Sequence, residues 1–410
     1  MIPGWDNDFM TLSYSGACRN LLGLFLCGLV ASTALSPTGA AGAEPVLQTE
    51  QSDTISLPSP GPHTILVEDA VYDHNKDGRV YVVDADHGRR LGMVQAAYNA
   101  NVAQSPDAQH FYVAETTWAH GNRGQRDDLL VQYDPHTLAV LSDEKLPARA
   151  LVTPKKNDLA INADGSRAYV YVMSPTNGVE VIDTHAHTVE QTVEVPGCAL
   201  VYPWGNSGFS SLCADGTLAN VSIGTDGKAS LTHSAPFFVP DRDGVLEHSP
   251  GTHDGHMWFI TNSGMVYPVK LGATDEIGTA WSLQQGAGMP VAPDARAPFD
   301  VAWRPGGWQL SALHASSGEL YVLMHRGTFW THKEDGTEVW VFDTNTHKRV
   351  RRIPLPAASP IVGVTQDEHP LMFTSDEAGD LHIFDARSGK LQRTMKHLGT
   401  DLIFTVAPGE

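Results

Sequence analysis

One short sequence pattern recurs through most of the chain and limits the folds that the chain can adopt. Each copy is a β-rich run of about four residues, usually ending in Asp, and a polar turn and a second strand follow it. The copies are residues 79–84, 129–134, 179–183, 217–221, 265–269, 338–343 and 381–385. Most of them are spaced roughly 40 to 50 residues apart, which is typical of repeated small sheets that pack against one another.

The residues around each copy supply further strands. A turn and a departing strand follow the better copies, at residues 90–94, 349–353 and 391–394. Hairpin turns and a strand precede others, at residues 110–113, 168–172, 320–323 and 371–373. Four short strands a unit indicate propeller blades, and the wider gap before the sixth copy holds an insertion around Ala292 to Pro298. No segment sustains the 3.6-residue apolar period of a long helix. We therefore predict an all-β, seven-bladed β-propeller with YVTN-like repeats over residues 61–410.

The Asp that ends most copies has a structural explanation. Its carboxylate can accept backbone N–H bonds in the turn that follows. We interpret these residues as turn formers and not as catalytic acids.

The first part of the chain has the order of a secretory signal. Arg19 precedes an apolar run over residues 21–35, and small residues ending at Ala43 follow that run. A membrane anchor is the alternative, but the run is shorter than the ~20 apolar residues that a spanning helix needs. We expect residues 1–43 to be removed on export to the periplasm, with no membrane attachment afterwards, and residues 44–60 to form an N-terminal extension. Acidic residues before the run make Met10 an alternative start.

The cysteines fit an exported protein. Cys18 and Cys27 lie in the predicted leader, so Cys198 and Cys213 are the two that remain. In an oxidising compartment they most simply pair with each other. Closing such a loop stabilises a protein by about 3 kcal/mol. The CxxC spacing of a redox-exchange site is absent, so we predict a structural disulfide.

The charge of the chain narrows its partners. The formal net charge is −20 at pH 7, which argues against nucleic acid or an anionic membrane as a partner. Cationic ligands are favoured instead.

Recognisable catalytic and metal-binding motifs are missing. The chain has no HExxH, Walker loop, GxSxG or CxxCH segment. The best metal candidates are His185 with His187, on one strand face, and His253 with His256, but each pair lacks an evident third ligand and falls at a turn. The segment from Trp303 to Trp308 combines aromatic residues with a tight turn, which favours packing between blades. We predict no metal site and no catalytic residue on this chain.

Several segments resemble one enzyme family in their order and spacing. They are residues 91–94 leading to Tyr98 and Asn99, residues 123–126 and 131–134, the pair Cys198 and Cys213 with residues 215–218, and residues 304–309, 331–333 and 364–371. In these segments the chain resembles the heavy (large, α) subunit of the quinoprotein amine dehydrogenases, the methylamine and aromatic amine dehydrogenases. The resemblance covers most of the chain after the leader, and the family fold is a seven-bladed propeller.

The resemblance implies a division of labour between two subunits. The heavy subunit would pair with a small, disulfide-rich light (β) subunit in an α2β2 assembly. That light subunit would carry tryptophan tryptophylquinone and the catalytic base, so this chain would bind no cofactor and none of its nine Trp residues would be a cofactor precursor. The complex would oxidise a small primary amine to an aldehyde and ammonia. An amicyanin- or azurin-like cupredoxin would accept the electrons.

One functional position carries over by resemblance. The aromatic residue after the Gly-Met-Val segment lines the substrate channel in the family, and here it is Tyr98. The family usually has Phe at this position, so the Tyr98 hydroxyl would change the polarity of the channel. An ordinary packing role for Tyr98 is the alternative.

A different class of function also fits the predicted fold. A periplasmic propeller without a light subunit could be a binding scaffold or a lactonase-like hydrolase, because propellers host many functions. A neighbouring coding region for a small, cysteine-rich protein with two Trp residues would favour the dehydrogenase.

Overall fold

A computed structural model describes residues 55–149, 153–247, 251–253 and 255–410. The predicted leader and the alternative start at Met10 lie outside these residues. The compact unit that contains all of them runs to Glu410. The boundary predicted at residue 61 stays a prediction.

The first strands form one large antiparallel sheet. They are β1 (Thr64–Asp69), β2 (Gly78–Asp84), β3 (Arg89–Gln104), β4 (Phe111–Trp118), β5 (Arg126–Tyr133) and β6 (Val140–Leu146). Strand β3 belongs to two ladders, because residues 89–97 pair with β2 and residues 98–104 pair with β4. The long strand therefore passes from one group of strands to the next.

Two sheets of four strands come next. The first contains β7 (Leu159–Ile161), β8 (Arg167–Val172), β9 (Gly178–Asp183) and β10 (Thr188–Glu194). The second contains β11 (Cys198–Trp204), β12 (Gly208–Cys213), β13 (Leu218–Ile223) and β14 (Ala229–His233). Within each sheet the strands pair antiparallel in chain order.

The middle of the chain adds a five-stranded sheet and two helices of one turn. Helix α1 (Pro240–Asp243) precedes β15 (Thr252–His253), β16 (His256–Ile260), β17 (Met265–Lys270), β18 (Glu276–Ile277) and β19 (Trp281–Ser282), and α2 (Leu283–Gly286) follows. The side chain of Ser282 caps α2 by accepting from the backbone N–H of Gln285. Among the described residues no helix is long and apolar enough to span a bilayer.

The remaining strands form two further sheets and return to the first. They are β20 (Ala302–Pro305), β21 (Ser311–His314), β22 (Glu319–Gly327), β23 (Gly336–Asp343), β24 (Lys348–Ser359), β25 (Val362–Val364), β26 (Leu371–Ser375), β27 (Leu381–Asp385), β28 (Lys390–Met395) and β29 (Leu402–Val406). Strand β29 pairs antiparallel with β1, so the last strand of the chain completes the first sheet.

The sequence repeats are confirmed as strands. Each copy lies in the strand before the outermost strand of its group; these strands are β2, β5, β9, β13, β17, β23 and β27. The terminal Asp acts as predicted: Asp183 Oδ1 accepts from the backbone N–H of His185 and of Ala186, both at 2.8 Å. Asp134 and Asp343 make the same pair of bonds. The loop of residues 287–301 matches the predicted insertion.

The hydrophobic core lies between the sheets. Tyr169 and Val181 of one sheet pack with Phe209 and Val221 of the next, and the other clusters likewise join sheets that are consecutive along the chain. One cluster joins the last sheet to the first, where Phe373 packs with Tyr81. Side chains on both faces of each sheet are therefore buried, which is consistent with a β-propeller.

Each sheet has two ends, at which its strands begin and terminate. We call the ends on the side of Tyr98 the Tyr98 face, and the opposite ends the turn face. The Tyr98 face holds the connections between groups, such as residues 97–101, 147–158 and 287–301, and loops such as residues 70–77, 119–125, 173–177 and 328–335. The turn face holds the hairpin turns at the opposite ends, such as residues 85–88, 134–139, 184–187, 315–318 and 386–389.

Candidate functional site

Tyr98 lies where strand β3 loses its register. The pairing with β4 shifts between Tyr98 and Asn101, and the neighbours Ala97 and Asn99 have φ angles of 47° and 46°. Few side chains adopt this left-handed conformation without strain. Gly78 packs against the bulge so closely that a Cβ atom would lie 2.5 Å from the carbonyl oxygen of Ala97. The bulge therefore depends on glycine at that position, and it sets the direction of Tyr98.

Tyr98 contributes to an aromatic surface at this face. Its half-buried ring stands edge-on to Trp118, with centroids 5.5 Å apart and planes at 76°. The ammonium of Lys76 lies 3.9 Å from the centroid of the Trp118 ring. Part of the Tyr98 ring remains accessible to solvent at this face.

Arg149 holds the bulge from beneath. Its side chain is buried and donates to Thr116 Oγ1 at 2.8 Å and to Asn101 Oδ1 at 2.9 Å. The same guanidinium donates to the carbonyl oxygens of Tyr98, at 3.5 Å, and of Asn99. The Arg149 guanidinium thus fixes the backbone carbonyl groups of Tyr98 and Asn99.

Buried carboxyl groups surround Arg149. Glu68, Glu115 and Asp158 have 2%, 8% and 4% of their surface exposed. Among the described residues, Glu68 Oε2 and Glu115 Oε2 have no hydrogen-bond partner. Asp128 is different, because Arg126 and the Thr116 hydroxyl bind its carboxylate. Glu68 and Glu115 therefore each keep one unpaired carboxyl oxygen near a single buried cation, whereas Asp158 also interacts with Lys155.

Burial dominates the electrostatics of this cluster. It raises the pKa of Glu115 to about 7, although the charge of Arg149 opposes the shift. It also raises the pKa of Asp158 to about 7, against Lys155 and Arg149, and that of Glu68 well above its ordinary value. Burial lowers the pKa of Arg149 to about 10, so the guanidinium is still charged at neutral pH. The cluster can therefore hold protons beneath Tyr98 near pH 7.

The predicted disulfide is present. Cys198 and Cys213 lie directly opposite each other in β11 and β12, with an S–S distance of 2.03 Å. Both residues are buried against a core cluster. The bond joins two strand ends at the Tyr98 face.

The histidine pairs lie apart from this site. His185 and His187 occupy the turn after β9, so the turn assignment is confirmed and the placement on one strand face is wrong; turn formation by Asp183 decides it. His187 Nδ1 lies 3.8 Å from Glu144 Oε1. His256 lies in β16 with its ring near Trp258. Among the described residues the one group with metal-ligand spacing is Cys198, Cys213 and His233, and its two sulfurs form the disulfide.

The segment from Trp303 to Trp308 packs between sheets, as predicted. The Trp303 ring lies 5.2 Å from Trp340, within the core that joins two sheets. Trp308 Nε1 donates to the carbonyl oxygen of Pro154 at 3.1 Å, which ties this segment to the connection that follows Arg149.

A cavity of about 420 Å³ opens towards the turn face. Residues of β3, β7, β11, β15, β21 and β29 line it; they include Val102, Leu159, Pro203, Thr252, Leu313 and Val406. An ion pair between Lys156 and Glu410 lies at its wall. These six strands, each at an edge of its group, therefore line a common space.

Sequence reasoning missed the Arg149 cluster. Glu68 and Glu115 do interrupt strands that are otherwise apolar, which is an unusual position for acids. Nothing in the sequence linked them to Arg149, which comes 81 and 34 residues later (149 − 68 and 149 − 115). Only the fold brings these residues together.

Comparison with known proteins gives one consistent family. The sequence profile described as methylamine dehydrogenase heavy chain (MADH) matches residues 63–407. The methylamine dehydrogenase heavy chain of Methylophilus methylotrophus is 28% identical over 386 residues, 92% of this chain and 92% of its own length. That of Methylobacillus flagellatus is 29% identical over 373 residues, 90% of each chain. The heavy chain of Paracoccus versutus is 28% identical over 348 residues, covering 84% of this chain and 79% of its own.

Solved structures support the fold alone. A putative 6-phosphogluconolactonase from Bacteroides fragilis superposes with a TM-score of 0.53 at 14% identity, over 87% of this chain and 99% of its own. The dihydro-haem d1 dehydrogenase NirN superposes with a TM-score of 0.52 at 15% identity, over 87% of this chain and 78% of its own. Such distant identity carries no function from one chain to the other.

Proposed function

This chain belongs to the methylamine dehydrogenase heavy chain family and is the heavy subunit of an amine dehydrogenase, and we propose that it works in the periplasm with a light subunit that carries tryptophan tryptophylquinone. The complex would convert a small primary amine to an aldehyde and ammonia. It would pass the electrons to an amicyanin- or azurin-like cupredoxin. The family match over residues 63–407 is the observation that carries this proposal.

We further propose that the fold is a seven-bladed propeller. The two halves of β3 pair with different strands, which supports dividing the first sheet into two blades. The pairing of β29 with β1, and the packing of the last sheet on the first, support closure of the ring. The cavity that is lined by β3, β7, β11, β15, β21 and β29 supports a central channel.

Tyr98 is the proposed lining of the amine channel. Its half-buried position beside Trp118, on a bulge held by Arg149, supports this role. The rings of Tyr98 and Trp118 would pack against the alkyl group of a small amine. The hydroxyl of Tyr98 would favour amines that carry a polar group.

The quinone would lie on the light subunit and would accept the electrons of amine oxidation. This chain would position the amine and limit water at the opening. Trp303 and Trp340 are two described Trp residues of this chain whose rings are in contact. They pack in the core between two sheets, which suits a structural role. The net charge of −20 would raise the local concentration of protonated amine. Rates of amine oxidation that do not change between low and high salt would contradict this steering.

The test is to purify this chain, tagged at its C-terminus, from the periplasm of its native host grown on a primary amine. We expect a small partner with a quinone absorption band that added amine bleaches. A colourless chain without a partner would contradict the proposal and would favour a scaffold or a hydrolase.

A further inference from the structure

Exposed apolar side chains are distributed unevenly over the described residues. Fifteen large hydrophobic residues are exposed. Apart from Ile55, seven lie on the outermost strands of the sheets and seven lie in loops of the Tyr98 face; the latter are Tyr72, Met173, Val239, Val291, Phe299, Val301 and Trp330. None lies in a described turn of the turn face. The Tyr98 face is therefore the apolar one of the two.

Five of these seven loop residues lie in the insertion of residues 287–301 or in segments hydrogen-bonded to it. We define the insertion patch as Val239, Val291, Phe299, Val301 and Trp330. Phe299 is 86% exposed and Trp330 is 63% exposed. The backbone N–H of Phe329 donates to the carbonyl oxygen of Pro298 at 2.9 Å, which joins the two segments that carry these rings.

The patch is held in place by buried groups. Phe329 is buried, and its ring contacts Trp330 edge-on with centroids 4.7 Å apart. The buried guanidinium of Arg304 binds the carbonyl oxygens of Asp300 and Gly327. The exposed rings therefore lie on a fixed backbone, and a partner would not have to order them.

A groove and a charged rim adjoin the patch. The groove has a volume of about 660 Å³, and its apolar lining includes Phe237, Phe238, Tyr267 and Val291. Arg242 and Arg296 both bind Asp294 beside it. The backbone N–H of Ala295 donates to the carbonyl oxygen of Arg242, so the insertion is joined to α1. An apolar centre with aromatic anchors and a polar rim is the usual anatomy of a protein interface.

We propose that the insertion patch is the docking surface for the light subunit, with Phe299 and Trp330 as its main anchors. This inference rests on the proposed function, because a heavy subunit of this family requires a second chain. We assign the light subunit to the patch because the patch lies on the same face as Tyr98. A light subunit seated there would cover the opening through which amine would reach its quinone. A partner at the turn face would leave Tyr98 unrelated to the quinone.

The experiment compares two double variants in the complex purified from the native host. Phe299→Ser with Trp330→Ser removes the anchors. Val140→Ser with Leu141→Ser is the matched control, since those residues are 54% and 48% exposed on the outer strand β6. The small subunit that co-purifies with the wild-type chain is the probe, and its Kd is measured for each heavy chain. We expect the anchor variant to bind at least about 30-fold more weakly and the control to bind like wild type.

The outcomes separate the inference from the proposed function. A small quinone-bearing partner that binds both variants equally would overturn the docking surface and leave the proposed function standing. A wild-type chain that recovers no such partner would overturn both. Self-association of the wild-type chain, abolished in the anchor variant, would assign the patch to a second copy and overturn the light subunit as its occupant. Unchanged far-ultraviolet and near-ultraviolet circular dichroism would show that the anchor variant is folded.

Discussion

The two faces of the molecule are built on different physical principles. At the turn face, short hairpin turns recur, and an Asp at the strand end satisfies the backbone N–H groups of the next residues. At the Tyr98 face, connections are longer, apolar side chains are exposed, and charged groups are buried. The turn face depends on local chemistry, whereas the Tyr98 face depends on contacts between distant segments.

The proposed roles of the Tyr98 face would account for this difference. Exposed Phe299 and Trp330 and the buried Glu68 and Glu115 all disfavour an isolated, stable chain. Such features persist where they serve a partner or a ligand. The described turns of the turn face show neither feature.

Substitution of Arg149 should cause the largest loss in the free energy of unfolding. Arg149→Met would leave Glu68, Glu115 and Asp158 without their buried cation, and we expect the free energy of unfolding to fall by about 3–5 kcal/mol. Arg167→Ala is the comparison at the turn-face end of β8, where the ion pair with Glu190 is partly solvated and contributes about 0–1 kcal/mol. Urea unfolding of both variants measures this. Equal losses would remove the contrast.

Removal of the disulfide should cause the second-largest loss of stability. Replacing Cys198 and Cys213 together by Ala opens a loop of 15 residues and should lower the free energy of unfolding by about 3 kcal/mol. Thermal and urea unfolding under oxidising conditions measure the loss. A loss below about 1 kcal/mol would show that strand pairing alone fixes β11 against β12.

The pH dependence of stability should separate the buried carboxyls from the turn carboxylates. The pKa of Glu115 is raised to about 7 in the folded protein, so the folded state binds more protons than the unfolded state between about pH 4 and pH 7. Stability should therefore fall as pH rises through this range. Glu115→Gln should remove about 2 kcal/mol of that fall, measured by urea unfolding at pH 5 and pH 8. An unchanged dependence of stability on pH would show that groups other than Glu115 cause it.

A smaller effect is expected at the turn face. Asp385→Ala loses the bonds from the Ser388 N–H, at 2.7 Å, and from the Ser388 hydroxyl, at 2.6 Å. We expect a loss of about 1 kcal/mol. Asp385→Asn keeps an acceptor and should lose less than half as much. If the Asn variant is as unstable as the Ala variant, the carboxylate charge and not the turn geometry is what matters.

The smallest effect on stability should come from Tyr98→Phe, since the ring contact with Trp118 is kept. The expected change is in specificity: relative kcat/KM for an apolar over a hydroxylated amine should shift by about tenfold in the complex. Steady-state kinetics with matched amines measure this ratio. An unchanged ratio would make Tyr98 a packing residue.

The sequence predicted the parts of this molecule that depend on nearby residues. The repeats became strands because alternating apolar residues and an Asp-led turn act within a few positions. The place of Tyr98 came from resemblance, but its bulge needs Gly78 and Arg149, which lie 20 residues before it and 51 after it (98 − 78 and 149 − 98). The insertion patch could not be predicted either, because exposure of Phe299 and Trp330 depends on the packing of their segments.

The most direct test of the account compares solvent protection of the two faces. Hydrogen–deuterium exchange would be measured on the chain alone and in the complex with its small quinone-bearing subunit. We expect new protection in residues 119–125, 287–301 and 328–335 of the Tyr98 face, with the turns at residues 134–139, 344–347 and 386–389 unchanged. Protection confined to those turns would contradict the assignment of the Tyr98 face as the functional one.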